Sequence, residues 1–497
     1  MDCLTEYWLS VIYVLISVSA NIGLYFAWER STSALGKSVR NSGLLPVIIA
    51  VQIHWFLFFG PINLFPICLN SNHQSLYPWV INKQFFAPAM LIGLFGYVSL
   101  LSFLLIISYC LLKSKISFPT ESLFRREHQQ SSLSVIGMSI LILILAIWIS
   151  PVIGTIVAND GAWFKTLPPV IRWLGKGLFL VEACPLIFSG WKTVSQLSRA
   201  KKKSAKHLKV FTVVAIFQLI AFLTLRQRFL SLLAVSFYGC IVLATIHSKK
   251  IIIALFLMLF LGYSIPSGLR YTRLAPSQFE NQSDYLQASA RAFFNGIKPQ
   301  NLFSSAIADF SYNKSGAAAL SVPLGIQNRE SNWFNFNWIF VELYKPLPGS
   351  LKPHFKWWGD NRSEKLIGTW LGIGKDGKDI PGVSRSVQGG WIIDMMETPF
   401  LEPLVAGGIT GVFFFSIIFA LFISLIWSGT LFLTSSYSFL WPLPASILFV
   451  LVAGASWIGD IFTLFKVVLP WIFVSYLLHI IATRREKQRQ KVSGQSS

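Results

Sequence analysis

The chain contains 497 residues, of which 54% are hydrophobic and only 13% are charged. Soluble globular proteins carry about 25% charged residues, so this composition excludes a soluble domain. Lysine and arginine number 42 against 21 acidic residues, which gives a formal net charge of +21. On a soluble protein such an excess would indicate nucleic-acid binding, whereas on a membrane protein it indicates which loops face the cytoplasm.

Apolar stretches long enough to cross a membrane recur along most of the chain. The hydrocarbon core of a bilayer is about 30 Å thick, so a helix that spans it needs about 20 apolar residues. Eleven stretches are candidates, although charge interrupts the fifth: 8–28, 43–66, 86–112, 132–157, 168–190, 209–225, 229–247, 250–266, 400–427, 431–454 and 460–483. We therefore predict an all-α polytopic membrane protein with about eleven transmembrane helices.

The distribution of basic residues predicts the orientation of these spans. Asp2 and Glu6 precede the first span and Arg30 follows it, which places the N-terminus outside and the C-terminus inside. With one residue allowed at span ends, which adds Lys209 and Lys250, the segments then expected in the cytoplasm hold 21 basic and four acidic residues, a net charge of +17: 29–42, 113–131, 191–208, 248–249, 428–430 and 484–497. Most of the positive charge thus sets topology, and nucleic acid is not expected as a partner.

One segment that we predict outside the membrane, 267–399, is too long to be a turn. It is nearly balanced in charge, with 14 basic and 11 acidic residues, and we expect a small helical and irregular domain there. The predicted organisation has four parts: a membrane domain of eight spans (1–266), the large extracytoplasmic loop (267–399), three further spans (400–483) and a basic cytoplasmic tail (484–497).

A few ionisable residues lie where a membrane does not favour them, which makes them functional candidates. Arg226 and Arg228 lie at the predicted outer end of the sixth and seventh spans. They could bind the oxygens of a lipid pyrophosphate, or extend to lipid headgroups at the interface. Glu182 lies near mid-depth in the fifth span and needs a basic partner or a water-filled cavity. For His54, inside the second span, we favour a packing role.

The large outer loop adds basic and aromatic candidates. Arg270 and Arg329 could also contact pyrophosphate. Four tryptophans could stack on sugar rings: Trp333, Trp338, Trp357 and Trp358. An amphipathic helix lying in the membrane interface would show the same enrichment in tryptophan, so both interpretations stay open.

Cofactor motifs are absent from the sequence. Residues 372–378 satisfy the GxxxxGK part of a phosphate-binding loop, but Asp379 stands where Ser or Thr would hold Mg²⁺. No HExxH or CxxC motif indicates a zinc site. We therefore expect neither a metal nor another cofactor.

Four features of the chain occur together in one known family. They are a basic cytoplasmic loop before a span that ends in Leu225-Arg226-Gln227-Arg228, a large outer loop late in the chain, the Pro- and Lys-rich stretch 345–353, and the acidic and glycine-containing entry 397–411. In these features the chain resembles the superfamily of O-antigen polymerases (Wzy-type) and O-antigen ligases, which are polytopic membrane glycosyltransferases. Ligases carry a His shortly before the span that follows the loop, and its absence here favours the polymerase branch.

The resemblance implies a GT-C-like fold in the bacterial inner (plasma) membrane, and a reaction. A sugar hydroxyl of one polyprenyl-pyrophosphate-linked oligosaccharide would attack the anomeric carbon of another, building O-antigen, capsule or exopolysaccharide. Besides the lipid bilayer and this substrate, such a system would include a chain-length regulator and a flippase as partners.

The resemblance also implies roles for particular residues. Fixed guanidinium groups would neutralise the leaving pyrophosphate, a role for Arg226, Arg228, Arg270 and Arg329. A general base would deprotonate the attacking hydroxyl, with candidates in the order Glu397, Glu402, Asp394 and His354. Three other functions remain open: an O-antigen ligase, a transporter or flippase for lipid-linked sugars, and a scaffold without catalytic activity.

Overall fold

The computed structural model describes the helical parts of the chain. The continuous ranges are the following: 43–59, 86–113, 132–158, 177–197, 201–224, 228–245, 398–453 and 457–494. Isolated positions are described within 8–19 and 284–324. In these parts the secondary structure is almost entirely helical and includes no strand, which confirms the predicted all-α class.

Nine α-helices and one short 3₁₀ helix account for most of the described part, beside a shorter helical stretch at 177–181. In chain order they are α1 (Leu45–Phe59), α2 (Phe86–Lys113), α3 (Ser132–Ala158), α4 (Cys184–Leu197), α5 (Lys201–Thr224), α6 (Arg228–Thr245), α7 (Leu401–Ser436), the 3₁₀ helix (Ser438–Leu440), α8 (Pro442–Ala453) and α9 (Trp457–Gly494).

The protein is a helical membrane protein by the length and composition of these helices. Five stretches are long and apolar enough to cross a membrane: Ala87–Leu111, Gly177–Ser195, Lys206–Thr224, Gly407–Thr434 and Leu464–Ala482. Four shorter apolar helices accompany them. Of the predicted spans, 250–266 lies outside the described residues, and so does 8–28 apart from four helical positions. The total of eleven spans and their orientation stay predictions.

The cytoplasmic turn predicted at 428–430 is wrong. α7 continues through these residues, and the chain turns instead at 437–441, around the 3₁₀ helix. Residues 428–430 contain neither charge nor proline, so nothing ends the helix there. Pro442 is the first residue of α8, a position that favours proline because its missing N–H would have no helical partner there anyway.

The basic segments are more helical than the topology prediction requires. α4 extends to Leu197 and α5 begins at Lys201, so only three residues separate them within the predicted loop 191–208. α9 continues to Gly494 and includes most of the predicted tail. Lys, Arg, Gln and Glu are strong helix formers, and 38 residues make a helix about 57 Å long. The tail helix therefore extends well beyond the hydrocarbon core.

The chain forms two compact units. Unit 1 comprises Met1–Phe118, Ile307–Ser428 and Val450–Thr463, and unit 2 comprises Pro119–Ala306, Gly429–Phe449 and Leu464–Ser497.

Aromatic side chains form the core of unit 1. We call His54, Phe59, Tyr97, Phe400 and Trp457 the aromatic cluster, because all five are buried and their rings contact one another. α1 packs against α2 in this unit.

In unit 2, α5 is the central helix and packs against α3, α4 and α6. The Trp441 ring fills the space above Gly190, and its Nε1 donates a hydrogen bond to the Ile187 carbonyl at 3.1 Å. Trp191 Nε1 donates to the Ser438 hydroxyl at 2.7 Å. Buried indoles thus tie α4 to the chain around the 3₁₀ helix.

Candidate functional site

Most residues predicted to act in catalysis or binding lie outside the described residues. These are Glu397, Asp394, His354, Arg226, Arg270, Arg329, Trp333, Trp338, Trp357 and Trp358. Two have a described backbone: Arg228 is the first residue of α6, and Glu402 is the second residue of α7. The structure therefore locates the backbone at two of the twelve predicted positions.

The helix that contains Glu402 is interrupted one turn later. Gly407 has φ −152° and ψ 18°, and Gly408 has φ 60° and ψ −148°, so neither is helical. Gly408 occupies a region that is open only to glycine, because a Cβ would clash with the backbone. At Gly411 an added Cβ would meet the carbonyl oxygen of Pro403. The break separates a short entry segment, 401–406, from the long apolar part of α7.

Phe400 anchors this entry in the aromatic cluster. Its fully buried ring meets Tyr97 edge-on with centroids 5.0 Å apart, and packs edge-on against Phe415 at 6.2 Å and Trp457 at 6.3 Å. Gly96 of α2 leaves room for the ring, since an added Cβ would lie 2.7 Å from Cε1 of Phe400. The start of α7 therefore cannot move without disturbing several packed rings.

Hydrogen bonds hold the backbone on both sides of Phe400. The Leu401 N–H donates to the Thr398 carbonyl at 3.0 Å, and the Phe400 N–H donates to the Thr398 hydroxyl at 3.2 Å. Farther along α7, the Ser416 hydroxyl donates to the Gly96 carbonyl at 3.1 Å. These contacts orient the chain immediately before Glu402.

A histidine–tyrosine pair lies within the same cluster. His54 is fully buried, and its Nδ1 is hydrogen-bonded to the Tyr97 hydroxyl. The imidazole stacks on Phe58 with centroids 4.3 Å apart, and meets Trp457 edge-on at 5.0 Å. The packing role expected for His54 agrees with this arrangement. Its tyrosine partner could not be predicted from the sequence.

Two contacts within unit 1 lie at opposite ends of α1. Gly316, from the predicted outer loop, touches the Phe59 ring at the end of α1, and Leu320 is fully buried. At the other end of α1, the Gly43 carbonyl accepts a hydrogen bond from Trp427 Nε1 at 2.9 Å. The predicted topology assigns the first contact to the outer side and the second to the inner side.

A second site lies in unit 2, where the span Gly177–Ser195 is also interrupted. Glu182 and Ala183 form a turn between two helical stretches. Pro185 explains the break, because it has no N–H to donate and its ring clashes with the carbonyl of Val181 four residues earlier. The sequence contained this signal, since a proline three residues after a buried acid predicts an irregular backbone beside the carboxyl group.

Three buried side chains of unit 2, Glu182 among them, have polar atoms without hydrogen-bond partners among the described residues. Glu182 is 1% exposed, and neither of its carboxylate oxygens has a hydrogen-bond partner among the described residues. The same holds for both amide atoms of Gln218 on α5, which is 0% exposed, and for the hydroxyl of Ser475 on α9, which is 1% exposed. The sequence analysis singled out Glu182 but missed the other two.

The two sites offer different chemistry. The α7 entry combines an acidic position with an irregular backbone at the end of the predicted outer loop, whereas the Glu182 site places a carboxyl, an amide and a hydroxyl among apolar helices. No protein-family model matches the chain, and neither a curated protein nor a solved structure matches it.

Proposed function

We propose that the protein is a membrane glycosyltransferase that polymerises oligosaccharide repeat units carried on polyprenyl pyrophosphate, at the outer face of the bacterial inner membrane. One observation carries the proposal: α7 is interrupted at Gly407 and Gly408, five residues after Glu402. The family that the chain resembles has an acid and closely spaced glycines at this entry.

The interruption supports a polar cavity beside Glu402. Backbone N–H and C=O groups at a helix break lose their helical partners. Within a membrane, irregular backbone is tolerated only where protein or a water-filled cavity surrounds it. A hydrated cavity at this break would satisfy the freed backbone groups, and a glycosyltransferase needs such a cavity there for its sugar substrate.

The length of α5 supports a role for Arg226 and Arg228 on the outer side of the membrane, where we predict the large loop. Its 24 residues extend for about 36 Å, which exceeds the hydrocarbon thickness of about 30 Å. The basic residues 201–203 begin this helix, and Arg228 begins the next one. If the basic end is cytoplasmic, Arg226 and Arg228 lie outside, on the side that we predict for the large loop.

The acidic residues and the arginines have different roles in the proposed reaction. The carboxylate of Glu397 or Glu402, with Asp394 and His354 as further candidates, takes the proton of the attacking hydroxyl as the new glycosidic bond forms. The bond to the pyrophosphate breaks, and Arg226 and Arg228, together with Arg270 or Arg329, balance the negative charge that develops. The tryptophans of the outer loop contact the sugar rings.

The decisive experiment supplies the purified protein in lipid vesicles with a synthetic lipid-linked repeat unit and no nucleotide. The expected product is a ladder of longer glycans on the lipid. Arg228→Ala and Glu402→Gln should abolish the ladder, whereas Arg484→Ala and Glu486→Gln, in the helical tail, should not. The proposal is refuted if the wild-type protein makes no ladder, or if both site variants make one of normal length.

The Glu182 site favours a second candidate, a transporter or flippase for lipid-linked sugars. Transporters place their binding sites at interrupted helices near the middle of the membrane, beside buried ionisable groups, and Glu182 lies at such an interruption. In the same vesicles a transporter would move the lipid-linked sugar across the bilayer without changing its length. The length of the glycan and its side of the membrane therefore distinguish the two functions.

A further inference from the structure

Two contacts set the register between the span Gly177–Ser195 and α5. The Thr193 hydroxyl donates a hydrogen bond to the His207 carbonyl at 3.3 Å. At the other end, Leu178 packs in one buried cluster with Ala221. Because the residue numbers rise along the span as they fall along α5, the two helices are antiparallel.

Gln218 lies opposite Glu182 in this register. Glu182 follows Leu178 by four residues, and Gln218 precedes Ala221 by three, so each lies about one turn farther along the facing surfaces of the two helices. Both side chains are buried, and the carboxylate oxygens and the amide atoms have no hydrogen-bond partner among the described residues, so in this structure the two groups are not bonded to each other. Rotation of the two side chains is needed to join them.

Ser475 of α9 lies at the same level. Trp471 Nε1 donates to the Phe179 carbonyl at 2.7 Å, and the Ser475 hydroxyl, one turn farther along, lies beside the Cys184 thiol. α9 therefore runs parallel to the span Gly177–Ser195. Its Ser475 reaches the break that contains Glu182.

No basic side chain of the described residues bonds the Glu182 carboxylate. Its neighbour α3 has no ionisable residue in its sequence. The ionisable positions nearest to it on Gly177–Ser195 and on the other described helices packed around it are Cys184, Lys192, His207, Lys209, Arg228, Tyr238, Cys240, Lys466, Tyr476 and His479. Two of them lie near the level of Glu182 and Gln218, and neither is basic: Cys184, whose thiol lies beside Ser475, and Tyr476, whose ring stacks on Phe439. Each of the other positions is separated from that level by one helical turn or more.

Among the described residues, an ionised carboxylate at this position would find neither a counter-charge nor a hydrogen bond, which is strongly unfavourable. A protonated carboxyl needs an acceptor for its O–H and a donor for its carbonyl oxygen, and a carboxamide supplies both. We propose that Glu182 is a proton-binding site within the membrane-spanning part of unit 2, with Gln218 as the partner of the protonated acid. Ser475 supplies a further hydroxyl.

Exchange of the proton uses the break at Glu182 and Ala183. The O–H bond of the carboxyl breaks, the proton passes to water that reaches the irregular backbone, and the electron pair stays on the carboxylate. This site is independent of the glycosyl-transfer proposal, because it involves none of the residues assigned to catalysis. The same proton-binding site would also serve a protein that couples a conformational change to proton binding.

A hydrophobic carbodiimide tests the proposal, because it modifies protonated carboxyl groups within a membrane. The full-length protein in lipid vesicles is treated with dicyclohexylcarbodiimide, and the adduct at Glu182 is quantified by mass spectrometry. Modification should fall as the pH rises, by about tenfold per pH unit once the acid ionises, and added NaCl should not change it. Glu486, in the tail helix, is the control acid and should remain unmodified.

Three results would overturn the proposal. They are no adduct at Glu182, an adduct whose rate does not depend on pH, and protection by Na⁺, which would make the site one for a metal cation. Glu182→Gln is the control for misfolding. Its amide mimics the neutral acid, so the variant protein should fold normally. Infrared spectroscopy then tests the partner: the acid C=O band should be absent in Glu182→Gln and move to higher frequency in Gln218→Leu. An unmoved band in Gln218→Leu would disprove the pairing.

Discussion

Replacing Gly96 by alanine should destabilise unit 1 by crowding the ring that anchors α7. The added Cβ would lie 2.7 Å from Cε1 and 2.9 Å from Cδ1 and Cζ of Phe400. Ordinary carbon contacts begin at about 3.5 Å, so the ring would have to move by about 0.8 Å. Tyr97 and Trp457 pack against Phe400, which is fully buried, so the ring has little free space. We expect Gly96→Ala to lower the free energy of unfolding by about 1–3 kcal/mol.

The measurement is thermal unfolding of the purified protein in detergent, followed by size-exclusion chromatography after heating. Gly137→Ala is the matched control, because its Cβ would have no neighbour within 4 Å. Alanine in a helix interior is favoured over glycine by about 0.5–1 kcal/mol, so this variant should be at least as stable as the wild-type protein. Equal stability of Gly96→Ala and Gly137→Ala would refute the packing of Phe400 on α2.

Two further pairs of variants test the helix break and the indole contacts by the same unfolding measurement. Gly408→Ala should lose about 1–3 kcal/mol, because φ 60° and ψ −148° exclude a side chain, whereas Gly407→Ala, with negative φ, should lose less. Equal losses would show that α7 is not broken in this way. Trp471→Phe should lose about 1–3 kcal/mol, because the Phe179 carbonyl loses its donor. Trp457→Phe also removes buried volume but breaks no hydrogen bond among the described residues, so it should lose about 1 kcal/mol less than Trp471→Phe; a larger loss at Trp457 than at Trp471 would contradict this reasoning.

The helices of the membrane domain were predictable because lipid leaves the backbone few choices. An apolar stretch of sufficient length must satisfy its N–H and C=O groups internally, so it forms a helix. The ends of helices were less predictable, as residues 428–430 illustrate. A gap between two apolar stretches suggested a turn there, but a helix needs a positive reason to stop, and that reason comes only with Pro442.

The breaks inside helices could be predicted in part from the sequence. Pro185 and the pair Gly407 and Gly408 stand in the sequence beside acidic residues, and each of these residue types weakens a helix for a known steric reason. Whether a helix bends or breaks at such a residue depends on what packs around it. Hydropathy measures only apolar character, so it does not predict which residues pack around a break.

The residues that complete each site could not be found from the sequence. Glu182 was recognisable as costly in a membrane, but the antiparallel register that puts Gln218 at its level comes only from the packing of two helices. Likewise His54 was recognisable as a buried ionisable residue, while its bond to Tyr97 depends on how α1 packs against α2.

The sequence by itself therefore determined the class of the protein, a helical membrane protein, and the segments that carry its positive charge. Both are local properties, because each apolar stretch and each basic loop responds to the membrane independently. Tertiary structure alone decided that Phe400 packs against Gly96, and that the span containing Glu182 packs antiparallel to α5, which carries Gln218. Those relations join residues far apart in the chain, and they arise from the packing of side chains between helices.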